Sequence, residues 1–205
     1  MKRPMTLVAL LGAALVYASG PAVAAGDPAA GKKKAAACAS CHGPDGNSPN
    51  PEWPKLASQH ARYIVKQLKD FKEGRRKNSL MSPMAAPLSD QDREDLAAYF
   101  ASQPISPGEA DPKLVKLGEK IWRGGNKKTG VSACMACHAP NGVGNPQANF
   151  PRLAGQHAKY VEIQLKAFRS GERANDAGKM MRNIAAKMTD EEIAAVASYV
   201  QGLRP

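Results

Sequence analysis

Cys38-Ala39-Ser40-Cys41-His42 returns in the second half of the chain as Cys134-Met135-Ala136-Cys137-His138, and these two stretches decide how everything else is read. C-x-x-C-H is the spacing of covalent haem attachment. Two thiols three positions apart can both reach the vinyl groups of one porphyrin, and the adjacent histidine is then delivered to the iron. All four cysteines of the chain, Cys38, Cys41, Cys134 and Cys137, lie in these motifs. A zinc ribbon would bring its C-x-x-C pairs within about 15–20 residues of one another, and here almost a whole domain intervenes. A thioredoxin-like motif would need a βαβ context, and the flanks read as helix.

Around the motifs the chain repeats. Trp53-Pro54-Lys55-Leu56-Ala57 matches Phe150-Pro151-Arg152-Leu153-Ala154 at an offset of 97. At the same offset Gln59, His60, Tyr63, Ile64, Leu68 and Phe71 match Gln156, His157, Tyr160, Val161, Leu165 and Phe168. Their apolar members fall at i, i+4 and i+7, the buried stripe of a helix, which predicts helices over 58–72 and 155–169. Each ends at a glycine, Gly74 or Gly171. A third helix is predicted from Ser89 and from Thr189, capped through Asp92 and Glu192. A first helix is predicted over 27–39, with Lys32-Lys33-Lys34 on its solvated side, and its counterpart over 112–122. No strand pattern of any length occurs, so the fold class is all-α.

The N-terminus has the form of an export signal. Lys2 and Arg3 precede an apolar run from Thr6 to Tyr17, followed by Ala22-Val23-Ala24 as a cleavage site. The run is shorter than the roughly 20 residues that cross a bilayer. Cleavage gives the expectations of a signal peptide over 1–24, domains over 25–104 and 105–205, a Pro- and Gly-containing linker at about 103–112, and a periplasmic location. Domains this small struggle to bury enough surface unaided, so the chain without haem is expected to fold poorly. The formal net charge is +11, or +9 without Lys2 and Arg3, with +3 in the first half and +6 in the second. Outside the cytosol this charge points to acidic protein partners or an anionic membrane surface, with peripheral association at most, and not to nucleic acid.

A haem iron held by histidine needs its other face assigned. The internal repeat sorts the methionines: counted back from the third helix, only Met81 and Met181 are methionine in both copies. Met84, Met180 and Met188 align with Ile184, Leu80 and Leu88 and read as packing. His60 and His157 are rival ligands because they too are paired. Their place at a predicted helix start, close in sequence to His42 and His138, reads instead as capping or surface. The carbonyls of Pro49 and Pro146 are candidate acceptors for the Nδ1 protons of His42 and His138.

Together these residues resemble the class I cytochrome c domain. The doubled chain, with Cys-His-Gly-Pro-Asp-Gly-Asn, Gly-Gln-His-Ala-Lys-Tyr and Tyr-Val-Gln-Gly-Leu, is similar to the cytochrome c4 family of dihaem c-type cytochromes. The resemblance implies two tandem domains related by a pseudo-twofold, each wrapped around one covalently attached haem c. It gives His42/Met81 and His138/Met181 as axial pairs and places the haems near the domain interface. It also implies a periplasmic electron carrier of a respiratory chain, with no catalytic residue and no small-molecule substrate. Its redox partners would be a quinol-oxidising donor complex and a terminal oxidase. Two alternatives remain: the cytochrome subunit of a flavin-linked, sulfide-oxidising dehydrogenase, and a dihaem peroxidase-like enzyme. The latter would need an iron with an open face, against which a methionine in each half argues.

Overall fold

Asp27 and Asp111 start the two halves in the same way. The carboxylate of Asp27 accepts the Ala29 N–H at 2.8 Å and that of Asp111 accepts the Lys113 N–H at 2.8 Å. Each is followed by a proline at the first helical position, where no backbone donor is needed. The computed structural model describes residues 26–204, so the segment read as a signal, 1–24, lies outside the described residues. Helix α1 (Pro28–Lys34) passes through a 3-10 turn at Ala35–Ala37 into the single helical turn α2 (Ala39–His42). The continuous helix expected there is therefore broken just before the cysteines. Lys34 is also not simply solvated: it pairs with Asp92 at 2.7 Å and with Asp95 at 2.6 Å.

Three further helices complete the first half: α3 (Ala61–Lys72), α4 (Met81–Ala85) and α5 (Asp90–Ser102). The second half repeats them as α6 (Pro112–Gly124), α7 (Met135–His138), α8 (Ala158–Ser170), α9 (Met180–Ala185) and α10 (Asp190–Gly202). Among the described residues there is no strand, only the isolated bridges Asn126–Val131 and Asn145–Phe150. The class is all-α. Helices α3 and α8 begin three residues later than their apolar pattern suggests. Ser58 and Gly155 stand at φ +56° and +78° and turn the chain before the helix starts. At that turn the N–H groups of Ser58 and Gly155 donate to Phe100 and Val200 at 3.0 Å, tying α3 to α5 and α8 to α10.

In each domain the first and last helices cross at a glycine. A Cβ on Gly31 would lie 2.0 Å from the Asp95 carbonyl oxygen, and one on Gly118 2.3 Å from that of Ala195. Four residues beyond stand Ala35 and the fully buried Trp122. That difference is compensated locally. The Pro44 carbonyl accepts the Tyr99 hydroxyl at 2.7 Å, whereas its counterpart Pro140 accepts the Trp122 indole N–H at 3.0 Å. The cores follow suit: Ile64, Leu96 and Phe100 in the first domain, Ile121, Trp122, Leu165, Ile193 and Val200 in the second. Each fully buried large side chain contributes about 1.5–3 kcal/mol. Capping boxes close both last helices, Ser89 with Asp92 and Thr189 with Glu192. The repeat offset rises from 97 to 100 because the second copy carries the extra turn Ala177–Lys179 ahead of α9.

The domains meet through residues that are themselves repeat pairs. Arg76 donates to Gln67 at 2.8 Å, Gln164 at 2.8 Å and Tyr160 at 3.1 Å. Arg173, its equivalent, donates to Gln164 at 2.8 Å, Gln67 at 3.2 Å and Tyr63 at 2.8 Å. Each guanidinium also lies over an aromatic ring of its own domain, Phe71 or Phe168. This reciprocity is the pseudo-twofold. One feature breaks it: buried Asp70, paired with Lys66 and Arg75, accepts from Asn175 across the interface at 2.6 Å. In the other copy the positions of Lys66 and Asp70 are Ile163 and Ala167.

Candidate haem sites

The short helices α2 and α7 bring both cysteines and the histidine of each motif onto one turn, with the histidine buried at its end. His42 donates from Nδ1 to the Pro54 carbonyl at 2.9 Å, and His138 to the Pro151 carbonyl at 3.0 Å. The expected acceptors, Pro49 and Pro146, are thus replaced. The reason is visible in the repeat: the Trp/Phe-Pro-Lys/Arg-Leu-Ala stretch lies on the histidine edge, pinned by Leu56 and Ala57 donating to Gly46 and by Leu153 and Ala154 donating to Gly142. With Nδ1 engaged as donor, Nε2 keeps its lone pair and can ligate. Burial pushes the pKa of both imidazoles down, with the carbonyl bonds acting weakly the other way. Burial likewise pushes the Cys38 thiol up, and the Cys134 thiol up to about 11. A thiol shifted upward lacks the thiolate character that a redox pair needs. No three His, Cys, Asp or Glu side chains among the described residues gather as a conventional metal cluster.

Met81 is the first residue of α4 and Met181 the second of α9, and both are half-buried. Asn78 fixes the first by accepting the Leu80 and Met81 N–H groups at 3.0 and 2.9 Å. Met181 and Cys134 both pack against the core of the second domain. Met188 is buried, as packing requires, but Met84 and Met180 are not: with Leu80 they are the exposed large hydrophobic side chains among the described residues. Their reading as core filler is corrected. They flank the paired methionines on the surface. His60 and His157 are also corrected. They occupy the N-cap positions of α3 and α8 without capping them, and their Nε2 atoms hydrogen-bond across the interface to the carbonyls of Val143 and Ser48, each at 2.7 Å. Their Nε2 atoms are thus committed as donors to carbonyls of the opposite domain.

Two residues that sequence reasoning passed over test whether these sites suit haem c. Lys55 and Arg152 directly follow the histidine-holding prolines. Burial alone pushes the pKa of both down, and neither has a carboxylate partner among the described residues. Lys55 reaches only the Ser106 carbonyl, and Arg152 Nε is buried with no partner. An uncompensated buried cation is costly, and haem c carries two carboxylates that would neutralise such charges. Thiols, imidazole, thioether and cation together fit that group.

The sequence matches the family described as cytochrome c twice, over residues 28–104 and 116–204. The chain belongs to the cytochrome c family. Within it the likeness is to cytochrome c4. The chain is 57% identical to cytochrome c4 of Thiocapsa roseopersicina over 87% of this chain and 93% of the relative. The crystal structure of reduced recombinant cytochrome c4 from Pseudomonas stutzeri superposes with a TM-score of 0.85 at 54% identity, covering 88% of this chain and all of that one. A more distant relative, the thiosulfate dehydrogenase electron acceptor of Thiomonas intermedia, is 37% identical over 97% of this chain and 90% of its own length. The protein is accordingly a dihaem electron-transfer cytochrome, with one haem c covalently bound in each domain.

Proposed function

We propose that the cysteine pairs Cys38/Cys41 and Cys134/Cys137 hold the haems by thioethers, and that His42/Met81 and His138/Met181 are the axial pairs. The observation that carries this reading is the buried histidine in each copy, its Nδ1 committed to a proline carbonyl and its Nε2 left free. Haem supplies one-electron chemistry between ferric and ferrous iron. The chain's own residues hold the imidazole in one tautomer, exclude water from it and present a thioether, which raises the potential and suits electron transfer. Lys55 and Arg152 are the residues placed to neutralise the haem carboxylates.

The protein works in the periplasm, after removal of residues 1–24, and passes electrons along a respiratory chain from a quinol-oxidising donor to a terminal oxidase. Among the described residues no helix is long and apolar enough to cross a membrane. Leu80, Met84 and Met180 are exposed beside the paired methionines, with Lys77 and Lys179 close by in sequence. Redox encounters are small and transient, and such a surface, with its positive charge, steers an acidic partner. A second reading takes the donor to be a sulfur-compound dehydrogenase, and the resemblance to a thiosulfate dehydrogenase electron acceptor favours it.

The test is the optical spectrum of the oxidised, haem-loaded protein, followed by carbon monoxide addition after reduction. A sulfur-to-iron charge-transfer band scaled to two haems, with no carbon monoxide uptake, is expected. Loss of that band in Met81→Ala and in Met181→Ala, half in each, assigns the ligands. A wild-type haem that binds carbon monoxide refutes two closed sites.

A further inference from the structure

The amide group joining Pro54 to Lys55 is used at both ends. Its oxygen accepts the His42 Nδ1 proton at 2.9 Å, and its N–H donates to Oε1 of Gln156, a residue of the other domain, at 2.8 Å. The second copy repeats this in reverse. The Pro151–Arg152 amide accepts from His138 at 3.0 Å, and its N–H donates to Oε1 of Gln59 at 2.9 Å. Each glutamine is held in that orientation by a second bond, Nε2 of Gln156 to the Lys55 carbonyl and Nε2 of Gln59 to the Arg152 carbonyl, both at 2.9 Å. Gln59 and Gln156 are 8% and 6% exposed, so water cannot readily take their place.

A hydrogen bond made by an amide N–H polarises the whole group and makes its carbonyl oxygen a stronger acceptor. A stronger acceptor draws on the histidine Nδ1 proton and makes Nε2 more basic. A more basic axial nitrogen favours ferric over ferrous iron and lowers the potential. We propose that the two domains tune one another crosswise: Gln156 of the C-terminal domain sets the donor strength of His42, and Gln59 of the N-terminal domain sets that of His138. The inference rests on the reading of His42 and His138 as iron ligands. Both glutamines are positioning residues that act through one peptide group. The interface thereby links the potential of each haem to the docking of the opposite domain.

The experiment uses the haem-loaded full chain and Gln156→Met, which removes the acceptor while keeping bulk. An NMR redox titration follows each haem through its own iron-shifted resonances. The N-terminal potential is expected to rise while the C-terminal one stays. In the ferrous protein the His42 Nδ1 proton should move upfield while that of His138 stays. Gln59→Met should give the mirror image, and it keeps the proposal testable if one variant misfolds. A purely structural contact would move both haems together or neither, and either result overturns crosswise tuning. A wild-type spectrum without iron-shifted resonances from the His42 and His138 rings strikes the ligand assignment itself, a separate failure.

Discussion

Ala139 follows His138 at φ +66° and ψ +157°, a backbone region almost reserved for glycine that costs an L-residue about 1–3 kcal/mol. Its counterpart in the first copy is Gly43, at φ +78°, where the conformation is free of that cost. Ala139→Gly should therefore stabilise the protein by about 1 kcal/mol, measured by guanidinium unfolding of the haem-loaded chain. Ser58 supplies the control. It too has a positive φ, +56°, against Gly155 in the other copy, but its hydroxyl donates to the Gln103 carbonyl at 2.7 Å. Ser58→Gly gains the backbone term and loses a hydrogen bond of about 1 kcal/mol, so no net change is expected. An equal gain at both positions would mean that the bond contributes nothing. Single residues were also where sequence reasoning went astray. Pro54 lies twelve positions from His42, and no local pattern says that the chain folds back there rather than at Pro49. Gln59 and Gln156 were visible as a pair, but a pair of glutamines on a helix start does not disclose that each faces the other domain.

At the level of helices the sequence was more informative, because helix ends are decided locally. The proline starts of α1 and α6, the Ser89 and Thr189 boxes and the Gly74 and Gly171 stops could all be read from side-chain chemistry. What could not be read was the break between α1 and α2, which depends on how α1 lies across α5. That crossing admits no side chain at Gly31, where a Cβ would fall 2.0 Å from a backbone oxygen. Gly31→Ala should therefore cost about 3 kcal/mol and lower haem incorporation, whereas Gly74→Ala, with open space around it, should cost only its backbone strain. The same crossing carries an acid-sensitive link. Lys34 beside it, the Asp27 N–H and Gln91 hold the Asp95 carboxyl down to about 2. A depressed carboxylate stabilises the fold above its unfolded value near 4 and loses that contribution as pH falls through its folded value. Unfolding free energy should thus decline between about pH 4 and pH 2, and Lys34→Met should flatten the decline. Equal slopes in the two proteins would remove the Lys34–Asp95 link from the account.

Across the whole molecule, the same positions that repeat in sequence meet at the pseudo-twofold, so the interface is built from equivalent surfaces of the two domains. Arg173 is its most committed member. It is 8% exposed, bonds to Tyr63, Gln67, Gln164 and Asn175, and stacks on Phe168. Arg76, its twin, bonds Gln67, Gln164 and Tyr160. Hydrogen bonds to a charged group are worth about 1.5–3 kcal/mol when their loss strands a partner. Arg173→Leu strands Tyr63 and weakens the hold on both glutamines, at a cost of about 3 kcal/mol charged to the contact between domains and not to either core. The cores themselves, around Phe100 and around Trp122, share no side chain. Calorimetry of the haem-loaded protein should then show one cooperative transition in the wild type and two in Arg173→Leu, the earlier one from the first domain with its smaller core. A single transition at a lower temperature would instead mean that the coupling resides in the glutamine bonds to Lys55 and Arg152, and Gln59→Met should then split it.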